Sequence, residues 1–233
     1  VIDEYGLDDE SGYSDPLDGG VDGVLHGGRY WFVENAADVV SDGDYLNPGY
    51  VTCSVYTLAK DEDPLWQCRV GDTKYKTLEE AVTAANAGDT IYFRRDLDLD
   101  RTVTIDKDVT LAVDGDGEVA VRRLGDYGLD IRANVVVSNL TVKGFDVAAT
   151  RPMFDVAAGA RLTLAADVTV NGCVNTSGNG GAIASAGAVV LDGARIARCS
   201  AGNGGAIYAS GGTVEVRGGE ITGCSAADGG GAV

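Results

Sequence analysis

Histidine is almost absent from this chain of 233 residues, which has only His26, and no two cysteines are spaced as Cys-x-x-Cys. Because histidine and paired cysteines are the usual zinc ligands, a zinc site is not expected. No apolar run approaches the length of a membrane span, so membrane insertion is not expected. Basic residues number 18 against 36 acidic ones, and the net charge is −18. Nucleic acid and anionic membranes would be repelled, so neither is expected as a partner.

Proline (4 residues) and aromatic residues (7%) are scarce, whereas glycine is abundant (34). This composition favours many short strands joined by tight turns. The chain begins with Val1 and carries no signal peptide. We therefore expect a processed or trimmed piece of an exported protein, located outside the cell, at its surface or secreted.

Residues 1–25 are acidic and rich in glycine, which is typical of a solvated, flexible arm. A calcium loop is the alternative, although the ligand spacing of an EF-hand is missing. Residues 26–73 are predicted to form a small β-rich segment with strands at 29–33 and 50–56. Its aromatic side chains are expected to pack a small core, and contact with the face of a bound sugar is the alternative. The aromatic residues that such a ligand site would use are Tyr30, Trp31 and Trp66.

The five cysteines form two groups. Cys53 and Cys68 could form a disulfide, as is common in exported proteins. Cys173, Cys199 and Cys224 recur at intervals of 26 and 25 residues. We interpret these three as a ladder of free, inert thiols, with a redox pair as the alternative.

A helix is predicted at residues 77–86. Thr77 and Glu80 match a capping box, and Asn86 and Gly88 tolerate the left-handed backbone that ends a helix. Because only strand-like segments follow, the helix is expected to cover the open end of a solenoid. Its apolar face consists of Leu78, Ala81, Val82 and Ala85.

Short apolar segments repeat from Thr90 to the end of the chain, about 25 residues apart. Three strands in each period indicate one coil of a parallel β-helix, whose apolar side chains become buried when coils stack. The Gly-Gly pairs at 180–181 and 204–205 and the glycines at 229–231 are expected to form one turn that recurs from coil to coil. The three series of strands are 109–113, 135–137, 162–164, 189–191 and 214–216; 140–142, 168–170, 196–197 and 221–222; and 129–131, 153–156, 182–183 and 206–207.

The segment at 75–85, followed by Asp-Thr-Ile-Tyr-Phe at 89–93, resembles the N-terminal helix and first strand of proteins in the pectin-lyase-like, right-handed parallel β-helix superfamily. The Gly-Gly-Ala-Ile repeats are similar to those of polymorphic outer-membrane proteins and bacterial surface adhesins, although their Phe-x-x-Asn element is missing. The resemblance covers residues 74–233. It implies an all-β, right-handed solenoid behind a short capping helix and the small N-terminal segment.

Two functions are compatible with this fold. The first is a non-catalytic bacterial surface module, an adhesin or stalk that binds a host-surface protein or a glycan. Its repeats are regular, and because the sequence stops inside a repeat at Val233, further coils are expected beyond it. The second is a polysaccharide-active enzyme, a lyase or a glycoside hydrolase. The absence of glutamine from the repeats argues against a methylesterase, and calcium would be the cofactor of a lyase.

Catalysis would need carboxylates on the outer face of the first coils. In a chain this acidic, such residues are more simply explained as solvated outward positions. Arg195, Arg198 and Arg217 are expected to point outward on successive coils, where a basic strip could bind an acidic glycan or form surface ion pairs. The candidate carboxylates are Asp98, Asp100, Asp114 and Asp116.

Overall fold

The computed structural model describes residues 66–115, 117–144, 148–176 and 178–233, and the backbone of two earlier strands. These two strands, β1 (Val24–His26) and β2 (Arg29–Trp31), pair antiparallel, and β2 falls within the predicted strand at 29–33. The chain divides into two units, residues 1–64 and 65–233. The predicted strand at 50–56 lies outside the described residues.

The second unit begins with an antiparallel hairpin of β3 (Cys68–Val70) and β4 (Thr73–Tyr75), followed by helix α1 (Leu78–Ala84). The predicted capping box is confirmed. The amide of Glu80 donates to Thr77 Oγ1 (3.2 Å), and the amide of Thr77 donates to Glu80 Oε2 (3.3 Å). Each bond satisfies a backbone donor that the first helical turn leaves without a partner.

The helix ends earlier than predicted, because Ala85 already has an extended backbone. Gly88 has the expected left-handed conformation (φ 92°), whereas Asn86 does not. Lys107 Nζ donates to two carbonyl oxygens at the end of the helix, that of Thr83 in the last turn (2.6 Å) and that of the C-cap residue Ala85 (2.7 Å). The apolar face of α1 joins the same buried core as the first coils, as expected for a cap. The helical residues buried in this core are Leu78, Ala81 and Val82.

The rest of the chain is a β-solenoid of about five turns with about 26 residues per coil. The first two coils have the predicted three strands each, whereas later coils insert a short fourth strand that the sequence pattern did not predict. The strands of the first two coils are β5 (Thr90–Phe93), β6 (Leu97–Leu99), β7 (Val103–Ile105), β8 (Val109–Val113), β9 (Ala120–Arg123) and β10 (Leu129–Ile131). The later strands are β11 (Asn134–Val137), β12 (Thr141–Lys143), β13 (Ala148–Ala149), β14 (Phe154–Val156), β15 (Arg161–Leu164), β16 (Thr169–Asn171), β17 (Val174–Asn175), β18 (Ile183–Ser185), β19 (Ala188–Leu191), β20 (Arg195–Ala197), β21 (Ser200–Asn203), β22 (Ile207–Ala209), β23 (Thr213–Val216), β24 (Glu220–Thr222) and β25 (Ser225–Gly229).

Equivalent strands of successive coils pair in parallel and form four sheets. Sheet I has the order β4-β3-β5-β8-β11-β15-β19-β23, in which the hairpin β3-β4 extends the solenoid at its N-terminal side. Sheet II is β6-β9-β12-β16-β20-β24, sheet III is β7-β10-β14-β18-β22, and the added strands form sheet IV, β13-β17-β21-β25. The three predicted strand series fall into sheets I, II and III, which confirms the predicted parallel β-helix.

Side chains alternate between the core and the outside, as the period-two pattern requires. In β6, Leu97 and Leu99 are buried and Asp98 is exposed. In sheet II, Val142 pairs in register with Val170, which pairs with Ile196 in the next coil. These aliphatic residues are fully buried. Stacking of such ladders buries the apolar surface that a single coil would leave exposed.

The Gly-Gly corner recurs as predicted. Gly180 and Gly204 have left-handed backbones, with φ of 73° and 59°. The second glycine is required for close approach, because a Cβ at Gly181 would lie 2.3 Å from the carbonyl oxygen of Gly205. Beside the glycines, Asn203 Nδ2 donates across the coils to Asn179 Oδ1 (3.0 Å).

Candidate functional site

A groove of about 500 Å³ lies on the outer face of sheet II, over β16, β20 and β24. We call it the arginine groove. Inward-facing neighbours such as Ile196 belong to the core, so the alternating residues of these strands supply the outer surface. The groove is lined by Thr169, Asn171, Arg195, Ala197, Arg198, Thr222 and Gly223.

Arg198 follows β20 at a turn where the coils on either side have glycine. Its φ is 52°, and the equivalent Gly172 and Gly223 have φ of 66° and 60°. The left-handed backbone costs a residue with a Cβ about 1–2 kcal/mol, and glycine avoids this cost. The amide of Arg198 donates to the carbonyl oxygen of Thr222 (2.9 Å), so stacking of the coils fixes this conformation.

The polar groups of the groove contact one another across coils. Arg198 Nε donates to Asn171 Oδ1 (3.1 Å) in the preceding coil. Arg195 Nε lies 3.6 Å from Glu220 Oε2 in the following coil, and both side chains are more than half exposed. An exposed ion pair of this kind contributes little, typically below about 1 kcal/mol. The guanidinium of Arg195 can therefore exchange Glu220 for a ligand at small cost.

The prediction that Arg195, Arg198 and Arg217 lie on successive coils is wrong. Arg195 and Arg198 belong to one coil, on β20 and in the turn after it. Arg217 follows β23 in sheet I, where its Nε donates to Glu215 Oε1 (2.7 Å). Only the first two arginines line the groove.

The candidate catalytic carboxylates bind different arginines. Arg122 Nε donates to Asp98 Oδ1 (2.7 Å), and Arg101 Nε donates to Asp100 Oδ1 (3.0 Å). Asp114 accepts two bonds from Arg69, from Nε (2.8 Å) and Nη2 (2.7 Å). Asp116, the fourth candidate, lies outside the described residues.

The arginines lower the pKa of two of the candidate carboxyl groups. The hydrogen bond from Arg101 lowers the pKa of Asp100, and the hydrogen bonds from Arg69 lower the pKa of Asp114. A general acid in glycoside hydrolysis needs the opposite shift, a carboxyl pKa raised toward neutral pH. Asp100 and Asp114 are therefore suited to hold arginine side chains in place and unsuited to donate a proton.

A carboxylate pair that the sequence analysis missed lies on sheet III. Asp130 of β10 and Asp155 of β14 are in register on neighbouring strands, which places their backbones about 4.8 Å apart. Asp130 accepts a hydrogen bond from Arg151. The pKa of Asp155 is raised, first by partial desolvation and then by the charge of Asp130. The signal in the sequence was the equivalent position of two acids in the Leu-Asp-Ile and Phe-Asp-Val strands.

Trp66 lies with the hairpin at the start of the second unit and is 8% exposed. The Arg94 guanidinium carbon is 4.7 Å from the centroid of its ring, and Lys74 Nζ is 5.5 Å away. These cation–π contacts occupy the ring and favour packing over a role in sugar binding. The side chains of Tyr30 and Trp31 lie outside the described residues.

Cys173 and Cys199 are buried free thiols, and Cys224 is a partly exposed one. Each lies two residues after a strand position in register, since Ala197 pairs with Asn171 and with Thr222, so the three follow one another from coil to coil as predicted. The amide of Cys199 donates to Cys224 Sγ (3.4 Å). Cys68 is fully buried on β3 and forms no disulfide with any residue of the described part of the chain. Its predicted partner, Cys53, lies outside that part, so the disulfide between them stays a prediction.

Within the described residues, no three or more His, Cys, Asp or Glu side chains are placed to bind a metal ion. The acidic arm, where calcium was considered, is outside them. No helix in the described part of the chain has both the length and the apolar character of a membrane span. The chain matches no known protein family, no curated protein and no solved structure.

Proposed function

We propose that this chain is a non-catalytic extracellular surface module, an adhesin or stalk, that binds an acidic glycan in the arginine groove. The regular solenoid supports this proposal, because it provides a rigid outer face along which side chains from successive coils line up. The groove combines two guanidinium groups with the side chains of Asn171, Thr169 and Thr222.

The observation that carries the proposal is the backbone of Arg198. Glycine occupies the equivalent turn in the coils before and after it, and glycine would adopt the same left-handed conformation without strain. A strained residue at a surface groove supports a functional role for its side chain, because folding alone would be served better by glycine.

The chemistry of the groove fits a carboxylated or sulfated sugar. A guanidinium donates two parallel hydrogen bonds to such a group, and hydroxyl and amide side chains can bond sugar hydroxyls. The net charge of −18 repels long polyanions at a distance. We therefore expect the groove to bind short acidic segments of two or three sugars, whose charges lie close to Arg195 and Arg198.

The test is calorimetric titration with trigalacturonate and with a sulfated chondroitin disaccharide, with maltotriose as the neutral comparison. Arg198→Gly restores the backbone of the neighbouring coils and removes the side chain, so we expect a folded protein with at least tenfold weaker binding. Arg217→Ala, outside the groove, is the matched control and should bind as wild type. Equal affinities for the two variants, or no binding of either acidic sugar by the folded wild type, would contradict the proposal.

The alternative function, a polysaccharide-active enzyme, is favoured by one observation, the Asp130–Asp155 pair. A carboxyl with a raised pKa beside a second carboxyl group is an arrangement that a retaining glycosidase uses. Release of reducing ends or unsaturated uronates from a panel of polysaccharides, with and without calcium, tests it. The binding-module proposal predicts no turnover. Turnover that disappears in Asp155→Asn and persists in Asp98→Asn would contradict the binding-module proposal and support the enzyme.

A further inference from the structure

Arg123 ends β9 with its side chain inside the solenoid, and it is 2% exposed. The residue in register with it in the preceding coil is Leu99, an ordinary core residue. Burial lowers the pKa of Arg123, but a guanidinium stays protonated in proteins because it starts from a very high value. The core of the third coil therefore lies against a permanent positive charge.

The hydrogen bonds of Arg123 leave this charge incompletely paired. Its Nη1 donates to the carbonyl oxygen of Arg151 (3.1 Å). Its Nε and Nη2 are buried and have no hydrogen-bond partner among the residues that the structure describes. A buried charge without a partner is strongly unfavourable, so an anion is expected beside it.

Asp126 is one acidic group whose charge acts on Arg123. Both of its carboxylate oxygens are already engaged, because Oδ1 accepts from the Thr150 amide (2.7 Å) and Oδ2 from Thr150 Oγ1 (2.6 Å). Asp126 is also exposed, so water screens its charge. It does not fill the two open donor positions of the guanidinium.

Cys173 is the ionisable group that the core places next to Arg123. Its side chain is fully buried. Gly144 lies in the intervening coil, since Lys143 pairs with Arg122 on one side and with Asn171 on the other. A Cβ at Gly144 would lie 2.9 Å from Cys173 Sγ. Because Gly144 has no side chain, the interior space beside Cys173 Sγ is not filled from this position.

The surroundings of Cys173 favour its ionised form. Its pKa is lowered, first by the neighbouring Cys199 thiol and then by the charge of Arg123, while burial and Cys224 act the other way. The pKa of Cys199 is raised, first by the neighbouring Cys173 sulfur and then by burial, and its thiol donates to the carbonyl oxygen of Ala197 (3.4 Å). The members of the ladder therefore differ, although the sequence presents them as equivalent.

We propose that Arg123 and Cys173 form a guanidinium–thiolate pair inside the solenoid, and that Cys173 is the nucleophilic thiol of the ladder toward small uncharged electrophiles. In such a reaction the thiolate sulfur forms a bond to the electrophilic carbon and the leaving group departs with the bonding electrons. With iodoacetamide as the probe, the products are the S-carbamidomethyl cysteine and iodide. This site is independent of the arginine groove.

The first test measures the thiolate directly. Thiolate absorbs near 240 nm, and the difference between wild type and Cys173→Ala isolates the contribution of Cys173. An ordinary thiol with a pKa near 8.5 is only about 3% ionised at pH 7. We expect the difference absorbance to be fully developed at pH 7 and to be lost only at lower pH. A difference that appears only above pH 8 would overturn the proposal.

The second test maps alkylation by iodoacetamide at pH 6.5 with mass spectrometry. We expect Cys173 to react at least tenfold faster than Cys199, which is equally buried. Arg123→Leu, which places leucine where the preceding coil has Leu99, should slow the alkylation of Cys173 at least tenfold. Arg123→Lys should restore part of the alkylation rate. Equal rates for the two cysteines would overturn the proposal.

Discussion

Arg198 and Gly223 occupy the same turn of successive coils with nearly the same backbone, φ 52° and φ 60°. One residue has a long side chain and the other has none. The fold therefore accepts a strained residue at one coil of a turn that is otherwise built from glycine.

This pair predicts opposite effects on stability. Arg198→Gly removes strain of about 1–2 kcal/mol and adds unfolded-state entropy worth about 0.4–1 kcal/mol, so the free energy of unfolding should stay equal or rise by up to about 1.6 kcal/mol. Gly223→Ala should lower it by about 1 kcal/mol. Space is not the cause, because the nearest atom to the new Cβ would be Arg198 Cγ at 3.6 Å. Urea unfolding measures the free energy of unfolding of both variants. If Arg198→Gly is clearly less stable than wild type, the backbone of Arg198 is not strained as we infer.

The Gly-Gly corner predicts a steric effect at its second glycine. A Cβ at Gly181 would lie 2.3 Å from the Gly205 carbonyl oxygen, where backbone cannot move aside without breaking the stack. We expect Gly181→Ala to cost more than about 2 kcal/mol of unfolding free energy. The matched control is Gly159→Ala, whose φ is 83° and whose Cβ would meet open space. It should cost only about 1 kcal/mol, and equal costs would show that close approach is not the reason for the second glycine.

Acid should weaken the fold through carboxylates that accept hydrogen bonds. Bonds from Asn134 lower the pKa of Asp108, and bonds from Thr150 lower the pKa of Asp126. Because the unfolded values are higher, near 3.9, the unfolded chain binds more protons below about pH 4, and this stabilisation is lost as the pH falls through the folded pKa values.

The measurement is the urea midpoint at pH 7 and pH 3 for wild type and for Asp126→Asn. Protonation also relieves repulsion among the acidic residues, so the comparison between the two proteins is decisive. We expect the wild type to lose more stability than the variant between these pH values. Identical losses would show that Asp126 has the same pKa in the folded and unfolded chain.

The disulfide between Cys53 and Cys68 is predicted from the sequence, and peptide mapping without reduction tests it. A disulfide-linked peptide pair is the expected result. If Cys68 is a free thiol instead, burial raises its pKa to about 12, with a smaller contribution from Glu80. It would then resist alkylation at pH 8 in the folded protein and react after unfolding. The Cys53→Ala variant, in which Cys68 has lost its predicted partner, should show the same behaviour.

The solenoid could be predicted because it depends on local and periodic features. Alternation of apolar residues fixed which side chains face inward, and the spacing of about 25 residues fixed the register, as the pairing of Val135 with Val109 and Leu162 confirms. The capping box at Thr77 and Glu80 is a contact three residues apart. Such features can be predicted from a sequence because each one involves residues close together in the chain or residues at a regular spacing.

The charged and polar pairings could not be predicted, since they join residues about one coil apart whose offset varies with each turn. Asp98 meets Arg122, and Arg198 meets Asn171, only after the coils are stacked.

By itself, the sequence determined the fold class, the coil length, the inward-facing residues and the capping helix, because hydrophobic burial and backbone pairing follow its period. Only the tertiary structure decided that a fourth strand enters the later coils, that Arg198 takes a glycine conformation, and that Arg123 turns inward at a position held by Leu99 in the preceding coil. These depend on the space that neighbouring coils leave, which is set by stacking and is not encoded in any one repeat.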